Sequence, residues 1–317
     1  MKFSVIVPLY NKVEYIGRTL ASLDAQTYDD YEVIVVDDGS TDGSYGVASN
    51  VVANHPQWSV VRQANAGVAL ARNKGVELSQ GEFVCFLDAD DWWEPTFLEE
   101  MNRLVTTYPE AGLYGTGFYM VKNGKRRVAP IGVEKGFQEG YINYCKVYAR
   151  TLCMPISSSS VAMPRTVFLE FGGFKSGISL GEDFDLWIRI ALKQRVALIN
   201  KPLANYFQDL PSNKRATRRL HEPQHHMLWN LDYLADEEAC NIDYKILIDR
   251  LRASGLYRFY LSRQYHNEAL IQLARIEWSN VSQSTYRFYH SPLWWQRVRF
   301  TYRTLCANAK STLYKLK

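Results

Sequence analysis

Apolar positions in the first hundred residues follow two rhythms. Unbroken runs at 3–7, 31–36 (YEVIVV), 58–62 and 83–87 (FVCFL) are short and rich in β-branched or aromatic residues. They read as buried strands. Between them, 13–23 repeats apolar positions at helical spacing through Ile16, Leu20 and Leu23, and 68–78 reads as another helix. The DDGSTDGS stretch reads as a turn, with Ser40, Thr41 and Asp42 as candidate N-caps of a helix reaching about residue 54. Pro95 suits the first turn of a helix running to about residue 108. Strands alternating with helices of this length predict right-handed βαβ units and a parallel sheet.

After residue 110 the pattern changes. Segments 113–121 and 126–131 flank Asn123-Gly124, a strong hairpin signal. Segments 137–152 and 180–192 read as helices. From about residue 212 nearly everything is compatible with helix, with candidates at 224–235, 244–275 and 292–316, punctuated by Asn241 and Ser291-Pro292.

With 317 residues, 47% of them hydrophobic and 22% charged, the chain can bury a sizeable core, which excludes global disorder. No apolar run approaches the roughly 18–20 residues of a membrane-spanning helix. The first residues carry one lysine and a short apolar run ending at Pro8, so no secretory signal is expected. The five cysteines form no CxxC pair, and neither a disulfide framework nor a zinc ribbon is indicated. A reducing cytoplasm is the expected location.

The net charge of +4 is unevenly placed. Residues 1–200 hold 19 Lys/Arg against 23 Asp/Glu, and residues 201–317 hold 18 against 10, with no acid after Glu277. Such a split points to two regions with different partners.

In an open α/β sheet, ligands bind at the carboxyl ends of the strands. Here those ends carry Pro8-Leu9-Tyr10-Asn11, Asp37-Asp38-Gly39-Ser40, Asn65-Ala66-Gly67 with Arg72 in the helix behind, and Asp88-Ala89-Asp90-Asp91. Asp88 and Asp90, one residue apart after a buried strand, suit a hard divalent cation such as Mg²⁺ or Mn²⁺. The plainer reading is a solvated acidic turn. Asp38 either forms a turn or accepts a hydrogen bond from a nucleobase imide N–H. Arg72 is either a surface arginine or faces a base or phosphate. Glu182, Asp183 and Asp185 either favour a helix's first turn or crowd until like-charge repulsion raises one pKa.

The segments VIVPLYN, VVDDGSTDGS, NAGVALARNKG and FLDADD, followed by SSSSVAMPRTVFLEFGGF and GEDFDLWIRI, together resemble the catalytic domain of glycosyltransferase family 2. The resemblance covers roughly residues 1–205. It implies an α/β GT-A fold, a Rossmann-like, mostly parallel sheet flanked by helices. A nucleotide-sugar half would occupy about 1–110 and an acceptor half about 111–205, followed by a basic helical C-terminal region at 206–317. It also implies an inverting transfer from a nucleotide-sugar, with UDP-sugar favoured, to a glycan or lipid-linked acceptor in surface polysaccharide synthesis. By matching positions, Pro8, Tyr10 and Asp38 resemble base and uridine contacts, and Arg72 a base or diphosphate contact. Asp88 and Ala89 join the donor contacts, with Asp88 toward ribose or sugar. Asp90 resembles the ligand of Mn²⁺ or Mg²⁺, and Asp183 the catalytic base.

Other signals weigh less. His221-Glu222-Pro223-Gln224-His225 matches H-E-x-x-H, but Pro223 lies inside it, and the pattern needs a regular helix. The serine run at 157–160 lacks a G-x-S-x-G context and reads as strand or acceptor loop. Neither a G-x-G-x-x-G nor a phosphate-loop lysine motif follows the first strand. Trp295, Val298, Tyr302, Leu305 and Leu313 fall at helical spacing among basic residues. That stripe either docks on the protein or lies on an anionic membrane, which would place the chain on the inner face of the cell membrane. The rival functions are a non-catalytic binding or scaffold protein of the same fold, and a sugar nucleotidyltransferase. Nucleic acid is not an expected partner, because no binding motif accompanies the charge.

Overall fold

The computed structural model describes residues 1–209, 220–298 and 300. The chain divides into two compact units between Tyr233 and Leu234. The segment just after residue 205 therefore belongs with the first unit.

The first unit begins with β1 (Phe3–Leu9), α1 (Ile16–Asp24), β2 (Tyr31–Asp37), α2 (Ser44–Val52), β3 (Trp58–Arg62), α3 (Val68–Leu78) and β4 (Phe83–Phe86). β1 to β4 are mutually parallel in the order β3-β2-β1-β4. Every residue of β1, β2 and β4 is buried, as strands covered on both faces must be. Pro8 sits inside central β1 without breaking the ladder. The Ile6 carbonyl accepts from Leu87 N–H, so Pro8 faces the same side two residues on, and the last β4 residue in register there is Phe86.

The order continues with β5 (Trp92–Trp93), α4 (Phe97–Thr107), β6 (Ala111–Lys122), β7 (Lys125–Val128), β8 (Glu139–Ile142), α5 (Tyr144–Thr151), β9 (Val161–Pro164), α6 (Arg165–Glu170), α7 (Glu182–Ala191) and β10 (Arg195–Phe207). β9 runs antiparallel between β4 and β6, and β10 lies parallel to β6, so one mixed sheet spans both halves. The Asn123-Gly124 hairpin has positive φ at both residues, the type I′ geometry that suits strand twist.

Several local expectations change. α2 is capped by Gly43 rather than by Ser40, Thr41 or Asp42, and Asp42 instead accepts the Ser44 and Val13 N–H groups. Pro95 precedes α4, whose cap is Thr96. The 137–152 segment is only half helix: Glu139–Ile142 pairs with β10, and that tertiary partner overrides local preference. The serine run is a 3₁₀ turn at Ser158–Ser160, closed by reciprocal Ser157 and Ser160 hydrogen bonds. Segment 224–235 is mostly single 3₁₀ turns, Pro223–His225, Met227–Trp229 and Asp232–Leu234.

The second unit is helical: α8 (Ala235–Cys240), α9 (Ile242–Gly255), α10 (Tyr257–Leu261), α11 (His266–Leu273) and α12 (Gln283–Tyr289). The single helix expected over 244–275 is thus three. Asn241 caps α9 by accepting from Tyr244 N–H. Fully buried Arg252 pairs with Glu238, and Asp249 takes Lys245 Nζ and Asn280 Nδ2. The helix expected over 292–316 lies outside the described residues beyond 300.

Candidate active site

The carboxyl ends of β1 to β4 meet at one sheet edge, and backbone chemistry knits them together. Asn11, in the left-handed region, donates its N–H to Ser40 Oγ, and its side chain accepts from Thr41 N–H. Arg62 bonds Asp37 and the Ser40 carbonyl. Gly39 needs its positive φ, and a Cβ there would stand 3.1 Å from Asn65 N. Asp38 is almost fully buried. Its carboxylate accepts from Gln63 Nε2 at 2.9 Å and from the N–H groups of Ala66 and Gly67 at 2.8 Å. Asp38 thereby fixes the entry to α3. Tyr10, at the end of β1, exposes its ring to solvent, whereas Pro8 is buried.

α3 delivers Arg72 into the interior, only 2% exposed. Its guanidinium donates to Asp88 Oδ1 at 2.7 Å and to Glu182 Oε1 at 2.9 Å, and it lies over the Phe174 ring. Burial opposes the charge, but Asp88 and Glu182 outweigh it and keep the guanidinium protonated. One buried cation therefore joins the loop after β4 to the start of α7.

In the loop after β4, Asp90 Oδ2 accepts from Lys12 Nζ at 2.8 Å, and the Asp90 carbonyl accepts from Arg18. Burial, then the neighbouring Asp88 charge, raises the Asp90 pKa against the pull of Lys12. The Ala89 and Asp91 carbonyls lie within hydrogen-bond distance of Thr19 Oγ1. Asp91 is an anchor: Ser159 Oγ donates to it at 2.6 Å and Phe207 N–H at 2.8 Å. Burial, with Asp90 and Asp88 close by, pushes its pKa well up.

At α7, Gly181 forms the left-handed N-cap. Asp183 accepts from Ser158 Oγ at 2.9 Å and from Phe184 N–H at 2.7 Å. Burial first, and Glu182 second, push its carboxyl up to about 6, while Arg72 pulls the other way. Asp185 turns away from this group. It is fully buried and held by Arg189, Lys175 and the Tyr233 hydroxyl.

The structure thus brings Arg72, Asp88 and Glu182 into direct contact, with Asp183 beside Glu182. Ser158 and Ser159 were not singled out from sequence, yet the first holds Asp183 and the second holds Asp91 and the Asp88 N–H. Their signal was the serine run ahead of a buried strand. Lys12, the partner of Asp90, was also missed. Pro223–His225 is a single 3₁₀ turn, so His221 and His225 do not share a face of a regular helix.

Comparison with known proteins adds four findings. Residues 4–158 match the model for glycosyl transferase family 2. The chain is 43% identical over 103 residues to the uncharacterized glycosyltransferase YibD of Escherichia coli, covering 32% of this chain and 30% of that protein. It is 29% identical over 218 residues to the amylovoran biosynthesis glycosyltransferase AmsB of Erwinia amylovora, covering 65% of this chain and 69% of AmsB. Among solved structures, S. aureus TarS 1–349 in complex with UDP-GlcNAc matches with a TM-score of 0.65 at 22% identity, over 82% of this chain and 73% of that one. That likeness establishes the shared fold.

Proposed function

We propose that this chain, which belongs to glycosyltransferase family 2 through residues 4–158, transfers a sugar from a nucleotide-sugar, with UDP-sugar as the favoured donor. The acceptor is a hydroxyl of a glycan or lipid-linked molecule, and the product a surface polysaccharide. AmsB, named for amylovoran synthesis, supports the product class, and the UDP-GlcNAc complex of TarS supports the donor class. The observation that carries the reading is Asp183. It is a carboxylate tuned to about 6, set beside Glu182, which shares Arg72 with Asp88 of the D-x-D segment.

In the reaction, the acceptor oxygen forms a bond to the anomeric carbon and the bond from that carbon to the diphosphate oxygen breaks. The acceptor proton passes to Asp183, and the nucleoside diphosphate leaves with the bonding electrons. Direct displacement inverts the anomeric centre. A carboxylate near 6 is ionised at neutral pH yet basic enough to take a proton in the transition state. Asp38 fixes the loop beside which the base would lie, and Tyr10 offers an exposed ring at the end of β1.

A divalent cation fits the donor set. Asp88 and Asp90 offer hard oxygen ligands, and Asp90 already presents Oδ2 to the positive charge of Lys12. Asp90 would hold Mn²⁺ or Mg²⁺ together with the donor's phosphates. The ion would supply charge stabilisation to the departing diphosphate.

The test is a screen of nucleotide-sugars with Mn²⁺ or Mg²⁺, read by thermal shift and by release of nucleoside diphosphate. Stabilisation with diphosphate release on adding an acceptor is the expected result. Binding without turnover under every condition would instead fit a non-catalytic binder. Pyrophosphate release from a nucleoside triphosphate would indicate a nucleotidyltransferase.

A further inference from the structure

In a half of the chain where acids outnumber bases, the hairpin of β6 and β7 goes the other way. Four of the six residues 122–127 are Lys or Arg, none is acidic, and all six are exposed. Arg126 is accounted for, since it pairs with Glu94 and lies over the Tyr119 ring. Glu94 also accepts from Asn205 Nδ2, and Asp209 accepts the Asn123 N–H at 2.8 Å. Among the described residues, no acid pairs with Lys122, Lys125 or Arg127.

Register concentrates these three charges. Lys122 stands directly opposite Lys125, and Arg127, two residues on, shares their side of the ribbon. Like charges set directly opposite each other destabilise a strand pair. Guarding an edge strand against stray pairing needs charge, but it does not need two lysines face to face. Position adds a second observation. Val121 is level with Phe207 of β10, whose N–H donates to Asp91. Ser159 holds the same Asp91, and its neighbour Ser158 holds Asp183. Lys122 is therefore one residue along β6 from the pairing that anchors the loop after β4. Cations two residues apart on a strand are spaced by about 7 Å. Charges strung along a ribbon in this way match an anion that repeats along a polymer, more than one small anion that needs its donors to converge. A bilayer is a poorer occupant, because residues 122–127 include no apolar side chain to enter the headgroup region.

We propose that Lys122, Lys125 and Arg127 form a docking face for an acceptor glycan that carries repeated negative charge, as carboxylate or phosphodiester groups. This names the acceptor class of the site described above and rests on that reading. Glycan binding is read without any donor, and transfer is read by diphosphate release, so the two fail separately.

The experiment titrates the full chain against fluorescently labelled polygalacturonate, with labelled dextran of similar length as the neutral control, and follows anisotropy. Polygalacturonate should bind and dextran should not, and raised salt should weaken the binding. The triple variant Lys122→Gln, Lys125→Gln, Arg127→Gln should lose about tenfold in affinity, taking three exposed ion pairs of ordinary strength together. Lys125→Glu separates recognition from folding. It sets opposite charges across the ribbon, so its thermal midpoint should match or exceed the parent's. Its affinity for polygalacturonate should nevertheless fall by about fivefold, since one cation is reversed and Lys122 gains a partner. Equal binding of the charged and neutral glycans overturns the proposal. So does a Lys125→Glu variant that binds like the parent. A triple variant that self-associates yet keeps the parent's glycan affinity would also overturn it, by assigning the cations to guarding the edge of β7. Binding to phosphatidylglycerol vesicles that the triple variant loses while keeping its affinity for polygalacturonate would overturn it too, by assigning the face to a membrane.

Discussion

Asp88, Asp90 and Asp91 after β4 face the same physical problem as Glu182, Asp183 and Asp185 at the start of α7. Each set crowds three carboxylates into four residues beside a hydrophobic core. Each solves it with a division of labour. One carboxylate is buried as an anchor: Asp91 under Ser159 and Phe207 N–H, and Asp185 under Arg189, Lys175 and Tyr233. One is paired with the shared Arg72: Asp88 in the first set, Glu182 in the second. The third differs. Asp90 faces an ammonium, whereas Asp183 faces a neutral hydroxyl. A carboxylate beside a cation is matched to positive charge, and a carboxylate beside a hydroxyl remains available for a proton. The partner, more than the acid itself, separates a candidate metal ligand from a candidate base.

The largest expected effect breaks the second set apart. Asp183→Asn should lower sugar transfer by about 10²–10⁴-fold, the usual contribution of a positioned base. Its Tm at neutral pH should equal or exceed the parent's. The sign follows from linkage: folding raises the Asp183 pKa from 3.8 to about 6, so ionisation at pH 7 opposes folding, and Asn removes that opposition. Asp185→Asn should do the reverse in stability. It leaves Arg189 and Lys175 without their buried partner, at a cost of about 3 kcal/mol or more. Activity assays and melts on the two variants separate base from anchor. An Asp183→Asn enzyme with full transfer would end the assignment.

Arg72 ties the two sets together, and its removal should come next in size. Arg72→Met strands Asp88 and Glu182 opposite a thioether, at about 3 kcal/mol after allowing for the partial exposure of Asp88. Arg72→Lys should recover only part of it, because one ammonium cannot reproduce a guanidinium that bonds two carboxylates through two nitrogens. Urea midpoints read both. An Arg72→Met protein as stable as the parent would mean that the bridge contributes nothing.

How much of this was legible in the sequence follows from where each partner lies. β2 and β4 appear within a residue of the runs that marked them, because strands buried along their whole length record that environment in their own side chains. Glu139–Ile142 was misread as helix because its strand character comes from pairing with Val196–Ile199 on β10, not from its own residues. The acids of the site were visible as motifs. Their partners were not, since Ser158 lies 25 residues from Asp183 and Lys12 lies 78 from Asp90. Only the assembled sheet edge brings them together. The three 3₁₀ turns within 223–234 show the same limit, as no local pattern distinguishes them from a helix.

A smaller effect tests the hydroxyl half of the comparison. Ser158 stabilises ionised Asp183, so Ser158→Ala should raise that carboxyl further above about 6. A base must be ionised to work, and transfer should therefore fall as pH drops through about 6 in the parent. In the variant that acidic limb should move upward by about one pH unit, given the strength of a hydrogen bond to a charged group. The rate at high pH should change little. Arg72, Glu182, Tyr144 and Tyr148 also act on Asp183 electrostatically, and all stay in place. A pH–rate profile identical to the parent's would show that Ser158 only packs.

The smallest effect tests the ammonium half. If Lys12 occupies the position that a divalent ion takes at Asp90, the two compete for the same oxygen. Lys12→Met removes the competitor while keeping the length of the side chain. Affinity for Mn²⁺ alone, measured by calorimetry or by the loss of the free-ion paramagnetic signal, should then rise on the order of fivefold. That is the equivalent of about 1 kcal/mol for a partly exposed ion pair. Asp90→Asn should lower the same affinity, and the double variant should bind like Asp90→Asn, since nothing remains to compete for. Weaker Mn²⁺ binding in Lys12→Met would mean that Lys12 orders Asp90 for the ion rather than opposing it. The contrast between the two acid sets would then rest on Asp183 alone.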